Sequence, residues 1–300
     1  MPIRIKQLHP LFVGEVDGVD LSAPLDAATV TALDEAINAH AVLVFHNQRL
    51  DDDQLLTLGK RFGSISAPRN PRSDHRLKHA AIADISNLTK ANEVSGRDDH
   101  RRLDALGNQL WHSDASFRPI SGAISMLHAH VVPPKGGETE FADLRAAYDD
   151  LDAETKAMLE GLVAEHSIFQ SRGLLGYTEY TEAERAALPS VRHPLVRTHP
   201  GSKRRTLYMG SHASHIVSMP VPEGKLLLND LRDHATDRRY VNSHSWAVGD
   251  LVMWDNRCTL HRGRRYDDVN HKRDLRRVTT QDLDSVNDNP EMVAAMGTAS

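Results

Sequence analysis

The sequence predicts a mainly β protein, a double-stranded β-helix (jelly roll) or related β-sandwich core with flanking helices packed outside it. Three observations point that way. Short runs of β-branched and apolar residues recur along the chain, most clearly at 41–45 and 123–132. Few stretches carry helical spacing. The joints between runs are rich in Gly, Asn and Asp, which supply turns. No internal repeat, linker or low-complexity segment is visible, so residues 1–284 are expected to form one jelly-roll domain.

Taken in order, residues 3–6 read as a strand and 13–21 as strand and hairpin, with Gly14 and Gly18 among Val13, Val16 and Val19. Residues 26–40 place Val30, Leu33 and Ile37 on one helical face. A buried strand follows at 41–45. Asp51, Asp52 and Asp53 open a second helix with charge of the favourable sign, and Gly63 stops it. From 67 to 79 the pattern vanishes and the chain turns basic, with Arg69, Arg72, His75, Arg76, Lys78 and His79 against Asp74. A strand at 81–87 precedes another irregular stretch. Segments 64–80 and 88–108 are expected as lid loops closing over an anionic substrate; solvated loops without a specific role are the alternative.

Residues 123–132 form a strong strand, and Gly136 and Gly137 turn the chain towards Glu140 and Phe141. The best amphipathic helix spans 152–167, with Met158, Leu159, Leu162 and Val163 on its buried side. Short strands at 195–197 and 206–209, a helix at 222–236 and strands at 250–254 and 274–281 complete the ordered part. Residues 285–300 have little to bury and are expected to form a disordered tail.

Composition narrows the function. The 300 residues are 40% apolar and 26% charged, and no apolar run approaches the roughly 18 residues that span a bilayer. No secretory signal is visible either, so a cytoplasmic protein without membrane contact is expected. A net charge of -5 argues against a nucleic-acid partner. Cys258 stands alone, which excludes an intrachain disulfide and a Cys-rich metal site. Any metal must therefore sit on His, Asp or Glu.

His112 is the only one of eighteen histidines with a carboxylate two positions on, Asp114. In an extended segment side chains at i and i+2 share a face, so both can point at one ion. Two histidines and one carboxylate leave the opposite side of a metal open, the arrangement non-heme Fe(II) oxygenases require. His261, just after the strand 251–254, is the candidate for the third position; a core or surface histidine is the alternative. If 271–279 is a strand, Arg273, Leu275, Arg277 and Thr279 share one face, with the two arginines about 13 Å apart. Inward guanidinium groups need anions, and their planar fork matches carboxylates. Surface charges are the competing reading.

The order of His112-x-Asp114, Gly136-Gly137-Glu138-Thr139, Trp254-Asp255-Asn256-Arg257 with His261, then Arg273 and Arg277, resembles the taurine dioxygenase-like Fe(II)/2-oxoglutarate-dependent oxygenases. Within them the chain is most similar to the 2,4-dichlorophenoxyacetate dioxygenases, and the likeness includes Leu8-His9-Pro10-Leu11-Phe12 and His212-Ala213-Ser214-His215. The resemblance implies that His112, Asp114 and His261 hold iron, that Thr139 and Arg273 bind 2-oxoglutarate, and that Arg277 holds a substrate carboxylate. It implies Fe(II), 2-oxoglutarate and O2 as the reactants beside a small carboxylate.

Such an enzyme hydroxylates a substrate carbon while 2-oxoglutarate becomes succinate and carbon dioxide. On an aryloxyalkanoate, hydroxylation beside the ether oxygen cleaves the ether to a phenol and an oxo-acid, a step in aromatic compound catabolism. An N-substituted amino acid or an organosulfonate is the alternative substrate. From other classes, a non-catalytic jelly-roll protein that binds metal and carboxylate, or a zinc hydrolase, is the rival.

Two departures from the family pattern stand out. The segment between His261 and Arg273 is one residue longer, and Glu93, with Lys90 nearby, stands where a lysine is expected near the substrate. His199, His212 and His215 read as structural histidines outside the metal set. Assembly as a homo-oligomer is expected.

Overall fold

The computed structural model describes residues 3–66 and 76–291. Strands β1 (Arg4–Gln7) and β2 (Gly14–Asp17) form a hairpin. Helix α1 (Ala27–His40) starts on Asp26, whose carboxylate accepts the Thr29 N–H at 2.7 Å. After β3 (Val42–Phe45), helix α2 (Asp52–Lys60) opens with a capping box between Asp51 and Gln54. Strand β4 (Ala83–Ser86) is followed by helix α3 (His100–Ala105), β5 (Gly122–Val131) and β6 (Thr139–Asp143). Next come α4 (Leu144–Asp149), α5 (Ala153–Leu159), β7 (Val163–His166), α6 (Ile168–Gly173) and α7 (Glu182–Ala187). Strands β8 (Val191–Pro194), β9 (Val196–Thr198), β10 (Arg205–Leu207) and β11 (Ala213–Ile216) lead to helix α8 (Val221–Ala235). The chain closes with β12 (Val241–His244), β13 (Leu251–Asp255), β14 (Thr259–Gly263) and β15 (Asp274–Gln281).

The jelly roll is built from a seven-stranded sheet, ordered β1-β2-β3-β13-β5-β15-β4, and a three-stranded sheet, β12-β6-β14. The central strands of the large sheet are buried on both faces, which explains their continuous apolar runs. On β3, Val42 and Val44 face the small sheet with Phe141 and Trp254, while Leu43 and Phe45 face α1 and α2 with Leu33, Ile37 and Leu58. Each such side chain contributes roughly 1.5–3 kcal/mol by leaving water.

Three expectations change. The helix expected at 152–167 ends at Leu159, because Glu160 is extended and Gly161 adopts φ 75°; Val163 then starts a strand that pairs with β8 and β11. Met158 is consequently exposed. The stretch 88–108, expected as an irregular lid, contains α3 and a single turn of 3-10 helix. The tail is docked over its first part. Leu283–Asp288 forms a 3-10 helix, Asp288 binds both Arg197 and His193, and Asn289 donates to the Arg192 carbonyl at 2.9 Å. These partners lie more than 90 residues away, so composition gave no hint of them. The tail beyond 291 lies outside the described residues.

Candidate metal and carboxylate site

His112 sits in an isolated bridge against β14. Its N–H donates to the His261 carbonyl at 3.0 Å, and the His261 N–H donates back at 2.9 Å. The two imidazoles therefore stand side by side, their centroids 4.2 Å apart. Asp114, two residues on, brings Oδ1 to 3.9 Å from His112 Nε2 and 3.7 Å from His261 Nε2. Ala115 then turns the chain with φ 56°, an uncommon conformation of the kind that persists at functional sites.

The donor set fits a divalent metal. All three ligand atoms lie within 4.8 Å of one another and all three residues are buried. The His112 Nδ1 bonds to the Leu110 carbonyl at 2.7 Å and so carries its proton, leaving the Nε2 lone pair directed inward. Burial lowers the pKa of both imidazoles, which keeps them neutral. For Asp114 burial raises the pKa, but the Arg277 guanidinium, helped by the Ser125 hydrogen bond, leads the interactions that outweigh it and hold the carboxyl at about 2. Neutral imidazoles and an ionised carboxylate are the ligating forms.

His199, Asp255 and Cys258 make a second compact buried group, with different chemistry. Asp255 already accepts from Arg257 at 2.9 and 2.6 Å and pairs with His199 at 2.9 Å, while burial pushes the Cys258 thiol well up. The Arg257 cation stands where a metal charge would be needed. The other ring nitrogen of His199 accepts the Ser202 N–H at 2.9 Å.

Two cavities flank the triad, and Asn108, His112 and Arg277 border both. The first is lined by His261, Thr139 and Arg273. Arg273, which immediately precedes β15, is 8% exposed and faces no carboxylate among the described residues. Its hydrogen-bond acceptors are the carbonyls of Ile85 at 3.5 Å and Gly137 at 3.4 Å, and its Nε has no partner among the described residues. Burial pushes the guanidinium pKa down, but an arginine stays charged. A buried cation without an anion is costly, so this cavity ends in a charge that a carboxylate would satisfy. Gly137, with φ 76°, passes 3.5 Å from that guanidinium when given a Cβ. Thr139 Oγ1 accepts the Trp246 indole N–H at 3.0 Å, which orients it.

The second cavity has an apolar wall of Ala81, Ile82, Phe117 and Ile168. Its polar part holds Arg277, His212 and Arg172. Arg277 Nη1 lies 2.5 Å from Asp114 Oδ1, so the guanidinium stands at the triad itself. The His212 ring packs edge-on to His112, centroids 5.9 Å apart, and against Phe117 at 4.9 Å. His212 thus belongs to the site, although its residue type alone did not separate it from His199. Arg172 reaches from α6 to Asp104 of α3 at 2.7 Å and lies over Gly107, where a Cβ would overlap the guanidinium.

Other basic residues serve different ends. Arg76 is held by Asp84 at 2.8 Å and Asp274 at 2.6 Å, and Lys78 and His79 both bind Asp53, so none faces a ligand. Arg69, Arg72 and His75 lie outside the described residues. Lys90 and Glu93 are exposed on a turn closed by the Leu88–Val94 bridge and line neither cavity. The expected charge reversal at Glu93 therefore has no contact to reverse. His215 bonds Ser214 Oγ at 2.9 Å, away from the triad.

Comparison with known proteins agrees with this geometry. The alpha-ketoglutarate-dependent 2,4-dichlorophenoxyacetate dioxygenase of Burkholderia sp. (strain RASC) is 50% identical over 282 residues, covering 93% of this chain and 95% of that protein. The (S)-phenoxypropionate/alpha-ketoglutarate-dioxygenase of Delftia acidovorans is 38% identical over 264 residues, 84% of this chain and 86% of that one. The crystal structure of AAD-2 in complex with Mn(II) and N-oxalylglycine superposes with a TM-score of 0.88 at 48% identity, covering 93% of this chain and 98% of that one. The family model for the taurine catabolism dioxygenase TauD, TfdA family matches residues 4–279, and the chain belongs to that family.

Proposed function

We propose that the protein is an Fe(II)/2-oxoglutarate-dependent dioxygenase that hydroxylates an aryloxyalkanoate and thereby cleaves its ether to a phenol and an oxo-acid. The relatives named for phenoxy acids support this substrate class. One observation carries the reading. A buried His112, Asp114, His261 set lies between a cavity ending in Arg273, which faces no carboxylate among the described residues, and a second, apolar-walled cavity.

Bound iron with 2-oxoglutarate supplies the oxidising chemistry, consuming O2, releasing succinate and carbon dioxide, and inserting one oxygen into a C–H bond. The chain's residues do the rest. His112, Asp114 and His261 hold the metal through neutral imidazoles and an ionised carboxylate. Arg273 takes the distal carboxylate of 2-oxoglutarate in its planar fork, and Thr139 contacts the end nearer the metal. Arg277 holds the substrate carboxylate, while Ala81, Phe117 and Ile168 exclude water around the aromatic ring. Fixing both acids on one set of strands places the reacting carbon beside the metal without further ordering.

Succinate release and O2 uptake with Fe(II), 2-oxoglutarate and a panel of acids test the reading. Turnover that depends on phenoxy acids is expected. Faster turnover with an N-substituted amino acid or an organosulfonate would move the substrate class, and activity retained without O2 would remove the reaction. None of the described helices is long and apolar enough to cross a membrane. A reducing cytoplasm suits a site that uses ferrous iron, and light scattering tests the homo-oligomer.

A further inference from the structure

We infer that Ser125 and Asn256 are positioning residues that hold Asp114 as a one-oxygen metal ligand. The inference rests on the assignment of His112, Asp114 and His261 as ligands. It starts from a proton count. Ser125 lies on β5 and is fully buried. Its Oγ is 2.7 Å from Asp114 Oδ2, 2.9 Å from Asn256 Nδ2 and 2.8 Å from Thr279 Oγ1. An ionised carboxylate only accepts, so the single hydroxyl proton of Ser125 goes to Oδ2. The serine oxygen then accepts from Asn256, and Thr279 must be the donor in the remaining bond.

Asn256 sets the direction of the whole chain of bonds. Its Oδ1 accepts the Asp114 backbone N–H at 3.0 Å and the Trp254 indole N–H at 2.9 Å. Its Nδ2 donates to Ser125 and to the Ala123 carbonyl at 3.2 Å. The reverse amide orientation would set NH2 against two N–H donors, so only one orientation is possible. From Asn256 to Ser125 to Asp114 every proton is assigned. Oδ2 is engaged by Ser125, and Oδ1 is the oxygen that faces His112 and His261, with Arg277 Nη1 beside it at 2.5 Å.

That restriction matters for the reaction. A carboxylate bound through one oxygen occupies one coordination position, whereas one bound through both occupies two. The reaction needs three positions open to 2-oxoglutarate and O2. Without the Ser125 bond, Oδ2 is free to turn towards the metal and take one of them. The network thus guards ligand number as well as ligand orientation, with β5 giving Ser125, β13 Trp254, the residue after β13 Asn256, and β15 Thr279.

The test uses Mn(II) alone, followed by electron paramagnetic resonance, and 2-oxoglutarate binding to the Mn(II)-loaded protein by calorimetry. Ser125→Ala, and Ser125→Cys as the near-isosteric weak donor that preserves folding, are expected to raise the Mn(II) Kd about 10–100-fold and to weaken 2-oxoglutarate in addition. Ser125→Thr, which keeps the hydroxyl, should restore both. A folded Ser125→Cys protein whose two affinities stay within about twofold of the parent overturns the inference. His112→Ala separates the two levels: if that variant retains Mn(II), the ligand set fails, and if it loses Mn(II) while Ser125→Ala and Ser125→Cys bind normally, only the positioning role fails.

Discussion

His112 and His261 exchange reciprocal backbone hydrogen bonds at 3.0 and 2.9 Å, so the main chain, independent of either imidazole, sets the spacing of the two rings. Any residue except proline can make those bonds. His112→Ala and His261→Ala should therefore remain folded, with losses of about 1–3 kcal/mol in denaturant unfolding. Mn(II) affinity should fall by more than about 100-fold, beyond the loss typical of an outer-sphere partner. An unfolded His261→Ala protein would contradict the first part, and full metal affinity the second.

Arg273 separates binding from stability. Removing its fork should raise the 2-oxoglutarate KM by roughly 10–200-fold, the equivalent of about 1.5–3 kcal/mol for charge-assisted hydrogen bonds. In protein free of 2-oxoglutarate, this buried guanidinium, with two long carbonyl contacts and no carboxylate among the described residues, is a burden. Arg273→Met should therefore leave the melting temperature unchanged or raise it. A lower melting temperature would mean that the cation has a structural partner.

The Arg172–Asp104 pair at 2.7 Å ties α6 to α3 across the apolar-walled cavity. Asp104→Asn should loosen that wall and raise the KM for the acid by about 3–10-fold, with Mn(II) affinity unchanged. Gly107→Ala should act in the same direction, because its Cβ displaces the guanidinium. Equal KM values for small and bulky acids in all three proteins would remove this wall from specificity.

Acid should destabilise the fold early. Burial lowers the pKa of His128 and His166, and that of His130 to about 4, whereas unfolded histidines titrate near 6.5. With folded values below unfolded ones, the unfolded chain takes up the extra protons. Stability is complete above about pH 7 and is lost as pH falls through 6.5 towards 4, by up to about 1.4 kcal/mol per pH unit for each such proton. Thermal melts at pH 7.5, 6.5 and 5.5 check this, and a constant melting temperature would contradict it.

Much of the frame was legible because local chemistry agreed with the final packing. Asp26 and Asp51 cap the helices their positions suggested, and β15 takes in Leu275, Arg277 and Thr279 of the expected face, with Arg273 just before it. His112, Asp114 and His261 converge, and Arg273 lines one of the two cavities beside them while Arg277 lines both. What stayed hidden depends on distant partners. Strand β7 exists because Val163 to His166 find β8 and β11, against a helical pattern in the sequence. Ser125 reads as one residue of an apolar strand, and Arg172 has no neighbour in sequence that discloses Asp104 68 positions away. The basic residues Arg76 and Lys78 looked like ligand contacts because their acids, Asp274 and Asp53, are remote.

Asn108, His112 and Arg277 border both compartments, so neither can be filled without touching groups that the other uses. Coupling of this kind is reciprocal: by whatever factor bound 2-oxoglutarate alters affinity for the acid, the acid alters affinity for 2-oxoglutarate. A constant measured for one ligand in the absence of the other thus describes a different thermodynamic state from the one that turns over.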